Sequence, residues 1–210
     1  RYILDGTIQS ALFAQQYGVS FNTAGGTHHA GYDYGEGFCL MNDQAVAAQY
    51  LLHHGLAKKI LIIDLDVHQG NGTAHIFRNE PDIFTFSMHG AKNFPFIKEK
   101  SDLDVELQDG IEDEDYLDLL QKNLEIVFAT AKPDFVFYQA GVDILSSDKL
   151  GKLKVSTEGC RQRDSIVFNA SKNLGLPVQT SMGGGYSVHI RDIVNAHVAT
   201  YKLAIDIFNL

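Results

Sequence analysis

The sequence predicts an α/β fold: a single three-layer domain with a central parallel sheet flanked by helices. Three observations carry that expectation. Short apolar runs of strand length alternate with stripes at helical spacing along the 210 residues. Ile60, Leu61, Ile62 and Ile63 are consecutive branched apolar residues, the pattern of a strand buried on both faces inside a parallel sheet. The unusual polar residues His28, His29, Asp64, Asp66, His68, Asp143 and Tyr186 each follow directly on a predicted strand, where open α/β sheets bind their ligands.

In chain order, Asp5-Gly6-Thr7 reads as a helix start, with Ile8, Ala11 and Leu12 on one face and Gly18 as the stop. Val19 to Thr23 is a short strand leading into Gly25-Gly26-Thr27-His28-His29. A glycine-rich polar loop closes on Phe38-Cys39, and Asn42 or Asp43 caps a helix to about His54. The central strand follows, then a short helix to Phe77 and a strand from Asp82 to Ser87; His89 to Gly110 reads as irregular and charged. Leu117, Leu120, Leu124, Val127 and Ala131 form a helical stripe that Pro133 ends, and Phe135 to Gln139 is a strand running into Ala140-Gly141-Val142-Asp143. A helix from Thr157 to Leu174, a strand from Val178 to Met182, the turn Gly183-Gly184-Gly185-Tyr186 and a helix marked by Ile190, Val194, His197, Tyr201, Ala204 and Phe208 complete the chain.

Apolar residues at 45% support a full core, and 17 basic against 26 acidic residues give a net charge of -9. That balance argues against a nucleic-acid groove and suits a cationic partner such as a lysine-rich peptide. No apolar run reaches the ~18 residues of a membrane span, and no signal-peptide pattern opens the chain, which begins at Arg1. Cys39 and Cys160 cannot form a disulfide framework, so a reducing cytoplasm is the expectation, or a nucleus in a eukaryote.

Asp64, Asp66 and His68 alternate beyond the central strand, so an extended backbone projects them to one side. Buried acids there require a cation. Asp66, His68 and Asp143 make three ligands with coordination left open, the pattern of a catalytic site; oxygen and nitrogen donors suit zinc, and also ferrous iron or manganese. His28 and His29 can move protons, with Asp64 and Asn71 orienting one imidazole each, and the carboxylate partner should leave its histidine the more basic. Tyr186 can donate to a developing oxyanion. Taken singly, a strand-end Asp or His is more often a cap or turn residue; it is their interlocking that argues for a site. His53, His54, His75, His89, His189 and His197 read as structural or solvated, and Cys39 as packing.

Gly25-Gly26-Thr27-His28-His29, Gly37-Phe38-Cys39, Asp64-Leu65-Asp66-Val67-His68-Gln69-Gly70-Asn71-Gly72-Thr73, Ala140-Gly141-Val142-Asp143 and Gly183-Gly184-Gly185-Tyr186 together resemble the motif set of zinc-dependent histone deacetylases. Asp143-Ile144-Leu145 and Asp148-Lys149-Leu150-Gly151 are most similar to the class IV branch and bacterial histone deacetylase-like amidohydrolases. The resemblance implies an arginase-like fold, with residues 1–210 forming a catalytic domain that lacks its N-terminal part and the acidic rim loop. It implies hydrolysis of acetyl or longer acyl groups from lysine side chains of a protein or peptide, with no nucleic-acid or membrane partner. It implies zinc on Asp66, His68 and Asp143, and His29 paired with Asn71 as principal proton-transfer residue. It pairs His28 with Asp64, sets Tyr186 on the acyl carbonyl, walls the lysine channel with Phe38 and Phe94, and turns the Gly37 carbonyl to the substrate amide. The family also binds potassium, implying a site on Asp64, the backbone of Asp66 and His68, Ser87 and Met88. Phe96-Ile97-Lys98 after Phe94-Pro95 departs from the family's usual glycine at the channel mouth. Cleavage of acylated polyamines or other small amides, and silent binding of acyl-lysine, are the competing functions.

Overall fold

The computed structural model describes residues 1–210, as α1 (Tyr2–Tyr17), β1 (Val19–Asn22), α2 (Asp43–His53), β2 (Ile60–Asp64), α3 (Asn71–Phe77), β3 (Ile83–Gly90), β4 (Leu103–Leu107), α4 (Asp113–Ala131), β5 (Phe135–Gln139), α5 (Thr157–Asn173), β6 (Val178–Ser181) and α6 (Ile190–Phe208). The six strands form one sheet in the order β1-β6-β5-β2-β3-β4. Every neighbouring pair is parallel.

Alternation along β2 builds the layers. Leu61 and Ile63 pack with Tyr116, Leu120, Val167, Phe168 and Ala204, the inward residues of α4, α5 and α6. Ile60 and Ile62 point the other way, against Ala11 and Ala14 of α1 and Ala48 and Leu51 of α2. All five residues of β2 are buried. At ~1.5–3 kcal/mol per fully buried aliphatic side chain, its four apolar residues contribute roughly 6–12 kcal/mol gross, which anchors the acids that follow. No helix is long and apolar enough to cross a membrane.

The topology sets the place of the site. From β2 the chain steps to β3 and β4 on one side, then returns to β5 and β6 on the other. The switch point therefore lies between the carboxyl ends of β2 and β5, where a crevice opens.

Two expectations are corrected. The first helix begins at Tyr2, not at Asp5-Gly6-Thr7. Asp5 sits in its first turn, where the helix dipole favours an acid; the Thr7 hydroxyl donates to Asp43 at 2.6 Å instead of capping. The stretch from His89 to Gly110 is not irregular throughout: β3 runs on to Gly90 and β4 follows at the sheet edge. Asp104 and Glu106 gave β4 a loop-like composition, but charged residues are what an edge strand carries.

Candidate active site

Four loops converge at the switch point: those after β1 (His28, His29), β2 (Asp66, His68), β5 (Asp143) and β6 (Tyr186). Asp66, His68 and Asp143 are buried, with one potential ligand atom from each lying within 4.8 Å of the others. The Nδ1 of His68 stands 3.1 Å from Asp66 Oδ1 and 3.1 Å from Asp143 Oδ2. Backbone donors hold the outer carboxylate oxygens: Val67 N–H donates to Asp143 Oδ1 at 2.9 Å, and Gly184 N–H to Asp66 Oδ2 at 2.7 Å. The other two oxygens, Asp66 Oδ1 and Asp143 Oδ2, are thereby turned toward His68 Nδ1, with Asp66 Oδ1 also accepting from His68 N–H at 3.0 Å.

This donor set fits a divalent cation. Its 3.1 Å spacings approach the ~3.3 Å edge of a tetrahedron of ligands ~2.0 Å from zinc. The electrostatics agree. Burial, with the Asp66 charge beside it, pushes the Asp143 carboxyl up to about 7. Burial alone would lower His68, but its hydrogen bonds to Asp143 and Asp66 lift it to about 10. A cation placed between them would satisfy both acids.

The two histidines differ in the sense their partners dictate. His28 Nδ1 lies 2.7 Å from Asp64 Oδ2, and His29 Nδ1 2.7 Å from Asn71 Oδ1. Burial opposes charge on both. For His28 the Asp64 and Asp66 carboxylates overcome it and raise the imidazole to about 9; for His29 burial and the neighbouring His28 charge bring it down to about 3. Their ring centroids are 4.1 Å apart, so two like charges would be costly there.

A cavity of about 410 Å³ leads down to this centre, with His29, His68, Gly37, Phe38, Phe94 and Tyr186 in its wall. The Phe94 ring stands edge-on to His29 at 5.0 Å, and Phe38 lies 6.3 Å from Tyr186. Burial and the Asp66 and Asp143 charges raise the Tyr186 hydroxyl to about 12, which keeps it a hydrogen-bond donor. Asp148 fixes the turn beneath it, accepting from Tyr186 N–H at 2.5 Å. Asp64 and Ser87 face each other across β2 and β3, and the adjoining Met88 is fully buried. Burial pushes the Cys39 thiol up to about 11, which suits packing rather than attack.

Several supporting residues escaped the sequence reading. Asp43, fully buried, accepts from Thr27 N–H at 2.7 Å, Gly26 N–H at 3.0 Å and the hydroxyls of Thr7 and Thr27, and so pins the loop that presents His28 and His29. Its place at a helix start offered only a capping role, which Asn42 performs by accepting from Ala45 N–H. Arg163, also fully buried, donates to the Gly141 carbonyl at 2.5 Å and to Asp164 at 2.9 Å, tying α5 to the loop that carries Asp143. Glu36 accepts from Asn71 Nδ2 at 2.7 Å. Nothing local in the sequence marks Arg163 or Glu36 for these contacts.

Residues 1–201 match the model of the histone deacetylase domain. The chain is 47% identical over 203 residues to an uncharacterized protein of Picosynechococcus sp., covering 97% of this chain and 68% of that protein. It is 33% identical over 184 residues to Histone deacetylase 2 of Arabidopsis thaliana, covering 86% of this chain and 48% of the relative. The crystal structure of an HDAC homolog from Aquifex aeolicus superposes with a TM-score of 0.82 at 30% identity, over 96% of this chain and 56% of that one. The chain thus spans about half the length of these two deacetylase relatives. With a family match along nearly its whole length and the same fold in a solved relative, this chain belongs to the histone deacetylase family.

Proposed function

We propose that this chain forms the catalytic domain of a metal-dependent amide hydrolase that removes acetyl or longer acyl groups from lysine side chains. One observation carries the reading: Asp66, His68 and Asp143 share one buried centre with His29 and Tyr186 at the foot of a cavity walled by Phe38 and Phe94. The aromatic faces of Phe38 and Phe94 suit the methylenes of a lysine side chain, and polar groups at the foot of the cavity suit the amide they carry.

Asp66, His68 and Asp143 would hold zinc. When bound, such an ion supplies Lewis acidity, lowering the pKa of water toward ~7 and polarising a carbonyl. The chain's own residues supply the rest. Phe38 and Phe94 flank and align the acyl-lysine, and the Gly37 carbonyl accepts from its amide N–H. Tyr186 donates to the carbonyl oxygen as negative charge develops there. His29 takes a proton from the attacking water and delivers one to the lysine nitrogen as the C–N bond breaks, leaving a carboxylate and a free amine. His28, charged against Asp64, keeps His29 neutral enough to serve as base. A potassium ion on Asp64, the backbone of Asp66 and His68, Ser87 and Met88 belongs to the same reading, supported by the pairing of Asp64 with Ser87.

The test is zinc-dependent release of acetyl and longer acyl groups from lysine peptides and from acetylated polyamines, with Asp143→Ala as control. Peptide turnover that the substitution abolishes supports the proposal. Turnover of polyamines alone, or peptide binding without turnover, overturns it in favour of a small-amide hydrolase or a silent acyl-lysine binder.

A further inference from the structure

The contact between Glu36 and Asn71 has no part in the mechanism above, yet it bears on which proton His29 carries. Asn71 is buried at the start of α3, with its amide between two partners: Oδ1 is 2.7 Å from His29 Nδ1, and Nδ2 is 2.7 Å from Glu36 Oε2. An isolated amide could face either way, since it accepts at one end and donates at the other. A carboxylate only accepts. Beside Glu36 the amide must therefore present its NH2 group, which leaves its oxygen toward His29. An oxygen requires an N–H opposite it, so the His29 proton sits on Nδ1 and the lone pair on Nε2. With the amide reversed, Nδ1 would hold the lone pair and Nε2 the proton, and the outer nitrogen could no longer act as base.

The local backbone delivers Glu36 to this position. Glu36 and Cys39 exchange backbone hydrogen bonds at 2.9 and 2.8 Å. Between them Gly37 and Phe38 both adopt positive φ, at 53° and 66°, the conformation of a two-residue type I′ hairpin turn. A Cβ at Gly37 would run into the His29 ring, so the turn packs directly on the imidazole it helps to orient.

We propose that Glu36 is a positioning residue: by locking the Asn71 amide it sets the His29 tautomer that can accept a proton on Nε2. This rests on the reading of His29 as the proton-transfer residue, and its test has a readout independent of turnover. In the 210-residue chain with ¹⁵N-labelled histidine, zinc-free and zinc-loaded, long-range ¹H–¹⁵N correlation should show His29 as the Nδ1–H tautomer. Glu36→Gln, which can donate or accept, and Glu36→Ala, which can do neither, should each give a tautomer mixture. They should lower kcat about tenfold, with KM within about twofold. Adding Asn71→Asp to Glu36→Gln should restore the single tautomer, because a carboxylate at 71 accepts from Nδ1 unaided. Unaltered His29 spectra in both single variants overturn the proposal, as does an altered spectrum with unaltered kcat. If the parent chain hydrolyses no acyl-lysine peptide, the functional reading fails on its own, and the tautomer spectra still decide the role of Glu36.

Discussion

Replacing Asp43 tests whether the His28-His29 loop is held by a single buried carboxylate. Five donors converge on it: the hydroxyls of Thr7 and Thr27 at 2.6 and 2.7 Å, the N–H groups of Thr27 and Gly26 at 2.7 and 3.0 Å, and more distantly the Ser181 hydroxyl at 3.5 Å. In Asp43→Ala the three hydroxyls can turn to acceptors they already approach, Thr7 to the Ile3 carbonyl at 3.2 Å, Thr27 to the Met41 carbonyl at 2.5 Å and Ser181 to Gln179 Oε1 at 3.5 Å. The two N–H groups are fixed by the backbone and lose their acceptor. At ~1–3 kcal/mol for each unpaired donor, and in the lower half of that range because the loop is only part-buried, the cost is about 3 kcal/mol, equivalent to a fall in Tm of roughly 6–12 °C at ~2–4 °C per kcal/mol for a domain of this size. Asp43→Asn keeps Oδ1 for both N–H groups and offers an NH2 that the Thr7 hydroxyl can accept from, so its cost should be about 1–2 kcal/mol. Urea denaturation of the three proteins, followed by deacylase assay, measures both effects. Activity should fall more than stability requires, because the loop presents His28 and His29, the pair proposed above to handle the proton transfers. Asp43→Ala costing under ~1 kcal/mol, or Asp43→Asn costing as much as Asp43→Ala, would refute the reasoning.

Three further predictions follow from the same geometry. Gly37→Ala should leave the fold within ~1–2 kcal/mol, the usual penalty for a side chain at positive φ, yet cut kcat/KM by about 10²-fold because its Cβ displaces the His29 ring; unchanged kinetics would count against that contact. Arg163→Met strands the Asp164 carboxylate that Tyr138 and Thr200 also address, and should cost about 3–5 kcal/mol in denaturant melts; a cost under ~1 kcal/mol would remove the pair from the account of the Asp143 loop. His197 is held down to about 4 by burial and the Arg163 charge, whereas an unfolded histidine titrates near ~6.5. Below that pH the unfolded chain takes up a proton the folded chain refuses, so the contribution of His197 is whole above ~6.5 and is lost as pH falls toward ~4. The loss amounts to roughly 3 kcal/mol, and His197→Gln should show a correspondingly flatter stability curve between these limits.

What could be read from the sequence, and what could not, divides along physical lines. Ile60 to Ile63 read as a doubly buried strand, and Asp64, Asp66 and His68 directly after it could not be accommodated in an apolar interior without partners or a cation. Such residues announce themselves because their local setting makes them expensive. Which imidazole Asp64 and Asn71 each orient was open from the residues alone and came only from the family resemblance; His28 lies 2.7 Å from Asp64 and His29 2.7 Å from Asn71. By contrast, β4 was hidden by acids that are cheap at a sheet edge, and the start of α1 by an Asp-Gly-Thr signal whose threonine is drawn to Asp43 across 36 residues. Asp43, Glu36 and Arg163 are also cheap in their local settings: a helix start, a polar loop and a polar helix, where a charge needs no explanation. Their partners lie 16, 35 and 22 residues away in Thr27, Asn71 and Gly141, so only the strand order decides that they meet. The acids and His68 proposed to hold the metal carry a local energetic signature, whereas the groups that hold their loops in place carry one only after the sheet has assembled. It follows that substitutions at Asp43, Glu36 and Arg163 should separate orientation from chemistry, since each leaves Asp66, His68, Asp143, His29 and Tyr186 in the chain.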